Sequence, residues 1–154
     1  MKKNILIFAT VFSLLNISTV YAQWSADLKY IGELRQQLKL MKEDTSGIRL
    51  LNNLAAAYHK EGENENCKKY AAMALQLINK KINTNEVRAN PAYLKQYELL
   101  KAKAVENTGN GLLFENTAIA FDTLQSALQL WQQAGDKHGI ASTNASMAEY
   151  FTIK

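Results

Sequence analysis

Only one cysteine, one proline and seven glycines stand among the 154 residues. A single thiol cannot close an internal disulfide, so stability has to come from packing. Scarce proline and glycine exclude a collagen-like chain, and beside abundant Leu, Ala, Gln, Lys and Glu they favour helices throughout. Charge of one sign is also modest. A net +4 gives no basic footprint for nucleic acid, and the pairs Lys68-Lys69, Lys80-Lys81 and Lys101/Lys103 read as solvated helix surface. No segment alternates apolar and polar residues long enough to make a strand. What remains is 47% apolar residues with 9% aromatics, enough to build the core of one all-α domain.

The first residues form a separate unit. Lys2 and Lys3 precede the apolar stretch Ile5 to Leu15, and Val20-Tyr21-Ala22 offers the small residues that signal peptidase reads. Asn16, Ser18 and Thr19 interrupt the run well short of the ~20 residues a spanning helix needs, so no stable membrane anchor is expected. No cysteine lies near the junction to carry a lipid. The expectation is a cleaved signal peptide over 1–22 and an exported domain over 23–154, periplasmic or secreted in a bacterium. Lys2 and Lys3 are the only charges in 1–22, so the domain keeps a net +2.

Apolar residues then recur every three or four positions. A first helix over 26–42 carries Leu28, Ile31, Leu34, Leu38 and Met41, and a polar break follows at 43–46. A second over 47–60 carries Ile48, Leu51, Leu54, Ala55 and Tyr58, and Glu61-Gly62-Glu63-Asn64 turns the chain. The third, 65–80, has Cys67, Tyr70, Ala71, Ala74, Leu75 and Ile78 on one stripe, with a polar connector at 83–89 after it. Asn90-Pro91 is a strong helix start, since Asn caps free amides and Pro loses no hydrogen bond at the first position. That helix, 91–107, carries Leu94, Tyr97, Leu100, Ala104 and Val105, and Asn107-Thr108-Gly109-Asn110-Gly111 is expected to end it. A fifth helix over 115–134 shows Ile119, Ala120, Thr123, Leu124, Ala127, Leu128 and Trp131, with Gly135 as a left-handed cap. Asp136 caps a sixth that runs to the last residue.

Internal repetition stands out. Asp44-Thr45-Ser46-Gly47-Ile48, with Asn52, Ala56 and Tyr58, recurs 92 positions later as Asp136-Lys137-His138-Gly139-Ile140, with Asn144, Ala148 and Tyr150. Ala74-Leu75-Gln76-Leu77 recurs as Ala127-Leu128-Gln129-Leu130. The chain reads as helix pairs repeated with connectors of variable length.

In this respect it resembles the tetratricopeptide repeats. Leu51, Leu54, Ala55, Tyr58, Gly62, Cys67, Ala71 and Ala74 stand at the family's spacings. In the next unit Tyr97, Leu100 and Ala104 fit, Lys101 replaces a small residue, and a longer turn leads to Ala120, Leu124 and Ala127. Met147, Ala148 and Phe151 of the last helix fit one residue out of the register set by Gly139, Ile140 and Tyr150. The resemblance covers about residues 30–154. It implies a solenoid of about six antiparallel helices and a non-catalytic function, binding a protein or peptide along the concave face of the first helices. On that basis Arg49, Asn52, Ala56, His59 and Lys60 would line the groove; Asn can bond an extended backbone, and Arg or Lys can pair with a carboxylate. The plainer reading makes these five the solvated face of an amphipathic helix. The stretch Ala127 to Leu130 with Gly135 to Ala141 is similar to the longer repeats of bacterial regulators. The alternative function is therefore a ligand-sensing region, or a shortened remnant, of a sensor histidine kinase or transcription regulator.

Catalytic chemistry finds little footing. His59 and His138 lie far apart in sequence, with no Cys/His spacing for a metal. Cys67 near a helix start could serve redox chemistry, yet it occupies a small-residue position where packing explains it. Gly109-Asn110-Gly111 lacks the Lys-Ser/Thr of a phosphate loop and reads as a plain turn. Glu61, Glu63 and Glu65 simply favour a helix start. No catalytic residue, metal or cofactor is expected. Tyr150, Phe151 and Ile153 leave an apolar stripe without a covering helix, so self-association through the C-terminal helix is a further expectation.

Overall fold

The computed structural model describes residues 27–153, and every regular element among them is an α-helix. The expected signal peptide, 1–22, lies outside the described residues. Helix α1 covers residues 27–38. It is followed by α2 (Thr45–Lys60), α3 (Asn64–Ile82), the short α4 (Asn85–Ala89), α5 (Pro91–Leu112), α6 (Thr117–Ala134) and α7 (Lys137–Ile153). None of these helices is long and apolar enough to cross a membrane.

Helix boundaries depart from the sequence reading where local hydrogen bonds decide them. The first helix stops at residue 38, because the amides of Lys39, Leu40 and Met41 bond to carbonyls three residues back and tighten the chain out of the α-helix. Asp44 starts α2 earlier than expected: its Oδ1 accepts from the amides of Ser46 at 2.8 Å and Gly47 at 3.2 Å. The expected connector 83–89 contains α4, capped by the Thr84 hydroxyl and pinned by Val87, which is buried. Leu28 and Ile119, placed on the apolar stripes, are instead about half exposed.

The largest correction concerns Gly109-Asn110-Gly111. This is not a turn, for α5 continues through it to Leu112. Glycine in a helix costs about 1 kcal/mol against alanine, but here it lets neighbours approach. A Cβ on Gly109 would fall 2.8 Å from Leu124 of α6, and one on Gly111 would fall 2.7 Å from the Lys68 side chain of α3. Conformational freedom matters at Gly62 and Gly135, whose φ of 74° and 70° end α2 and α6 in left-handed turns.

The repeated Asp-x-x-Gly-Ile segment has one physical role in both places. Asp44 and Asp136 accept the amides of Gly47 and Gly139, respectively, at 3.2 and 2.8 Å. Each glycine then seats its helix against what precedes it. A Cβ would stand 1.9 Å from the Lys42 carbonyl oxygen at Gly47, and 2.2 Å from the Trp131 ring at Gly139.

Short connectors fold α2 back on α3 and α5 back on α6, while α5 packs against α2, α3, α6 and α7. One apolar cluster joins α1, α2 and α3 to the first half of α5; it includes Leu51, Leu54, Ala71, Ala74 and Ile78, all fully buried. Burial of each large aliphatic side chain contributes about 1.5–3 kcal/mol. Tyr58 and Tyr70 stack across α2 and α3 with ring centres 5.5 Å apart. A second cluster holds Leu113, Ala120, Leu124 and Tyr150, extended by Phe121.

Candidate functional site

The candidate groove residues sit on α2, whose orientation is set by its Asp44 cap and its buried Ile48, Leu51, Leu54, Ala55 and Tyr58. The structure divides them. Arg49, Ala56 and Lys60 follow one line of the helix together with Asn53, and Arg49 and Lys60 are exposed. Ala56 and Lys60 share a cleft of about 130 Å³ with Asn53, Ala57 and, from α1, Asp27 and Tyr30. Asn52 and His59 lie on the neighbouring line, turned toward α5 and α7.

Asn52 is not open to a ligand. It is 2% exposed, and its Nδ2 donates to the Leu100 carbonyl of α5 at 3.0 Å. Asn107 of α5 answers by donating from its own Nδ2 to the Asn52 carbonyl at 3.0 Å. The Asn107 carbonyl in turn accepts the Cys67 thiol at 3.2 Å. Side chains thus clamp α2, α5 and α3 through backbone carbonyls, and both asparagine Oδ1 atoms are left buried without a partner. His59 reaches the other way. Its Nε2 stands 3.6 Å from Glu149 Oε2 of α7, while its Nδ1 is buried and unpartnered.

Cys67 is fully enclosed. Burial pushes its thiol up to about 12, despite the opposing effects of Lys103 and Lys68. The reactive form of a cysteine is the thiolate, so this group is suited to packing and to its hydrogen bond. His138 is exposed at the start of α7 and lies far from this arrangement in sequence and fold. Among the described residues no group of three or more His, Cys, Asp or Glu could hold a metal ion. Of the other repeat positions, Leu51, Leu54, Ala55, Ala71, Ala74, Ala120, Leu124 and Ala127 are fully buried and Tyr58 is nearly so, whereas Gly62 is exposed in the turn it makes.

Sequence reasoning missed Glu106. Nothing in an acidic residue between Val105 and Asn107 marks it as internal, yet it is 1% exposed. Its carboxylate accepts from Trp131 Nε1 at 3.1 Å, Ser142 Oγ at 2.6 Å and Lys103 Nζ at 2.9 Å. Three helices, α5, α6 and α7, therefore meet on one charged group, and its satisfied acceptors make burial tolerable. Only the helical phase one turn after the buried Ala102 could have signalled it.

No family model, curated protein or solved structure matches the chain.

Proposed function

We propose that this chain is an exported, non-catalytic helical-repeat module of the tetratricopeptide kind that binds a protein or peptide partner. The observation that supports it best is the stacking of α2/α3, α5/α6 and α7. Each pair packs on its sequence neighbours, and the same Asp-x-x-Gly-Ile start opens both α2 and α7. Such pairs cannot bury their apolar faces alone, and stacking them leaves an extended surface suited to binding. The partner-facing residues narrow to the Arg49, Ala56 and Lys60 line with its cleft against α1. Asn52 leaves the binding set, being committed to α5. The buried, protonated Cys67 supports a structural use of the thiol. Export rests on the composition of residues 1–22.

Affinity capture from envelope extract tests the binding reading, with the Arg49→Ala/Lys60→Ala double variant as control. A partner retained by the wild type and lost by the folded variant is expected. A partner held equally by both would remove the α2 line from the site. Cell fractionation with mass determination of the N-terminus tests export; a mature chain beginning at Gln23 is expected, and an intact chain in the cytoplasm would refute it.

A further inference from the structure

Between the segment before α2, the end of α3, helix α4 and the first turns of α5 lies a cleft of about 300 Å³. Tyr93 and Tyr97 line it from one face of α5, one helical turn apart. Tyr93 is 48% exposed; Tyr97 is 6% exposed, yet its hydroxyl has no hydrogen-bond partner among the described residues. The ring is covered while the hydroxyl oxygen, which is not among the buried unpartnered atoms, meets solvent in the cleft. Here that position is open to whatever fills the cleft.

The surrounding charge selects the occupant. Glu86 of α4 and Asp44 line the cleft from either side. Asp44 caps α2 through Oδ1 alone, so Oδ2 remains available. Glu43 is bound by Lys80 at 2.5 Å, which leaves Asp44 and Glu86 against Lys81 and a charge of about −1 among the lining residues, with Lys42 acting on Asp44 from outside the lining. Gln96 adds an amide with an accepting oxygen. Burial, with smaller contributions from Asp44 and Glu86, pushes the Tyr97 pKa up, so its hydroxyl stays protonated. Aromatic faces, open carboxylate oxygens and an unused hydroxyl together suit a group rich in donors and positively charged. Two carboxylates beside two aromatic rings are too few oxygens for a hard metal ion, which takes about six or more, and suit an organic cation instead.

We propose that this cleft binds an organic cation, a primary ammonium or guanidinium group, against Tyr93 and Tyr97 with Asp44 and Glu86 as counter-charges. The site is separate from the Arg49, Ala56 and Lys60 line and does not depend on it. The same chemistry is offered by a free amine and by a lysine or arginine side chain of another protein.

Calorimetric titration of the whole chain distinguishes these sources, using cadaverine, N-acetyl-lysine methylamide and N-acetyl-arginine methylamide, with sodium acetate as the anionic control. Amine or guanidinium binding that weakens with salt is expected, with acetate inert. Tyr93→Ala should weaken it roughly two- to fivefold, and Glu86→Gln and Tyr97→Phe should each weaken it as well. Stronger binding of cadaverine assigns the site to a free amine, and stronger binding of either amino-acid amide assigns it to a side chain; both support the shared chemistry. Tyr93 and Glu86 are exposed, so those variants decide the matter even if Tyr97→Phe fails to fold. Failure of every cation to bind, equal binding by wild type and variants, or ligand-induced amide shifts away from Val87 and Gln96 would overturn the proposal.

Discussion

Glu106→Ala is the sharpest probe of how the helices are joined. It removes an acceptor that serves α5, α6 and α7 at once while leaving the Trp131 indole N–H and the Ser142 hydroxyl in place. A buried donor stripped of its partner costs about 1–3 kcal/mol; this applies in full to the Trp131 indole N–H and less to the half-buried Ser142 hydroxyl. Lys103 is 34% exposed and can return to water, so its lost ion pair adds little. The expected destabilisation is therefore about 2–4 kcal/mol, set by the stripped donors rather than by the ion pair. Against a whole-domain stability of order 5–15 kcal/mol, the variant should still fold but with a much lower urea midpoint. Glu106→Gln keeps the shape and one accepting oxygen, so its loss should be smaller, about 1–2 kcal/mol. Urea unfolding followed by far-ultraviolet dichroism measures both. A Glu106→Ala loss below about 0.5 kcal/mol, typical of surface substitutions, would refute the view that this carboxylate ties three helices together.

Gly139→Ala should destabilise by more than about 2 kcal/mol, because the new methyl would enter the Trp131 ring; Gly32→Ala, with nothing near it, should leave the melting temperature unchanged or raise it. Cys67 should resist thiol reagents in the folded chain and react only on unfolding, given its burial and a pKa of about 12; fast labelling at neutral pH would contradict that placement. The hydrogen bond from the Ser46 hydroxyl, then that from the Gly47 amide, holds the Asp44 carboxyl below the usual aspartate range. Its contribution is therefore full above the ordinary aspartate pKa and is lost as the pH falls through the depressed one. Asp44→Asn should accordingly flatten part of the acid limb of a pH-stability curve, and an unchanged limb would show that the cap carries no such linkage.

Helix periodicity was readable because most helices bury one stripe and expose another. Leu51, Leu54, Ala71 and Leu124 show the spacing and are fully enclosed. The caps Asn90 and Asp136 were readable too, since each acts through one side-chain oxygen close in sequence, whereas Asp44, which acts the same way, was hidden in a polar break. The α5 helix defeats the same logic in its second half. Surrounded by four other long helices, it buries Glu106, Asn107, Gly109, Asn110 and Gly111, residue types that mark a turn when only the local chain is considered. Asn52 fails as a groove residue for a related reason, for its partner carbonyl is 48 positions away. The cleft between Tyr93, Glu86 and Asp44 is equally invisible from spacing, because separate segments converge on it.

The neighbours Glu106 and Asn107 also govern how the molecule comes apart. Arrays whose units touch only adjacent units can fray from an end, one unit at a time. Here successive residues of α5 hold opposite halves: Asn107 ties down α2 and α3, and Glu106 ties down α6 and α7. Losing that single helical turn releases both apolar clusters, so partial opening offers little relief. Native-state hydrogen exchange should accordingly find its slowest amides in the middle of α5, opening at the free energy of global unfolding. A lengthened chain built from further copies of α2/α3 without such a doubly committed helix would lose this all-or-none behaviour.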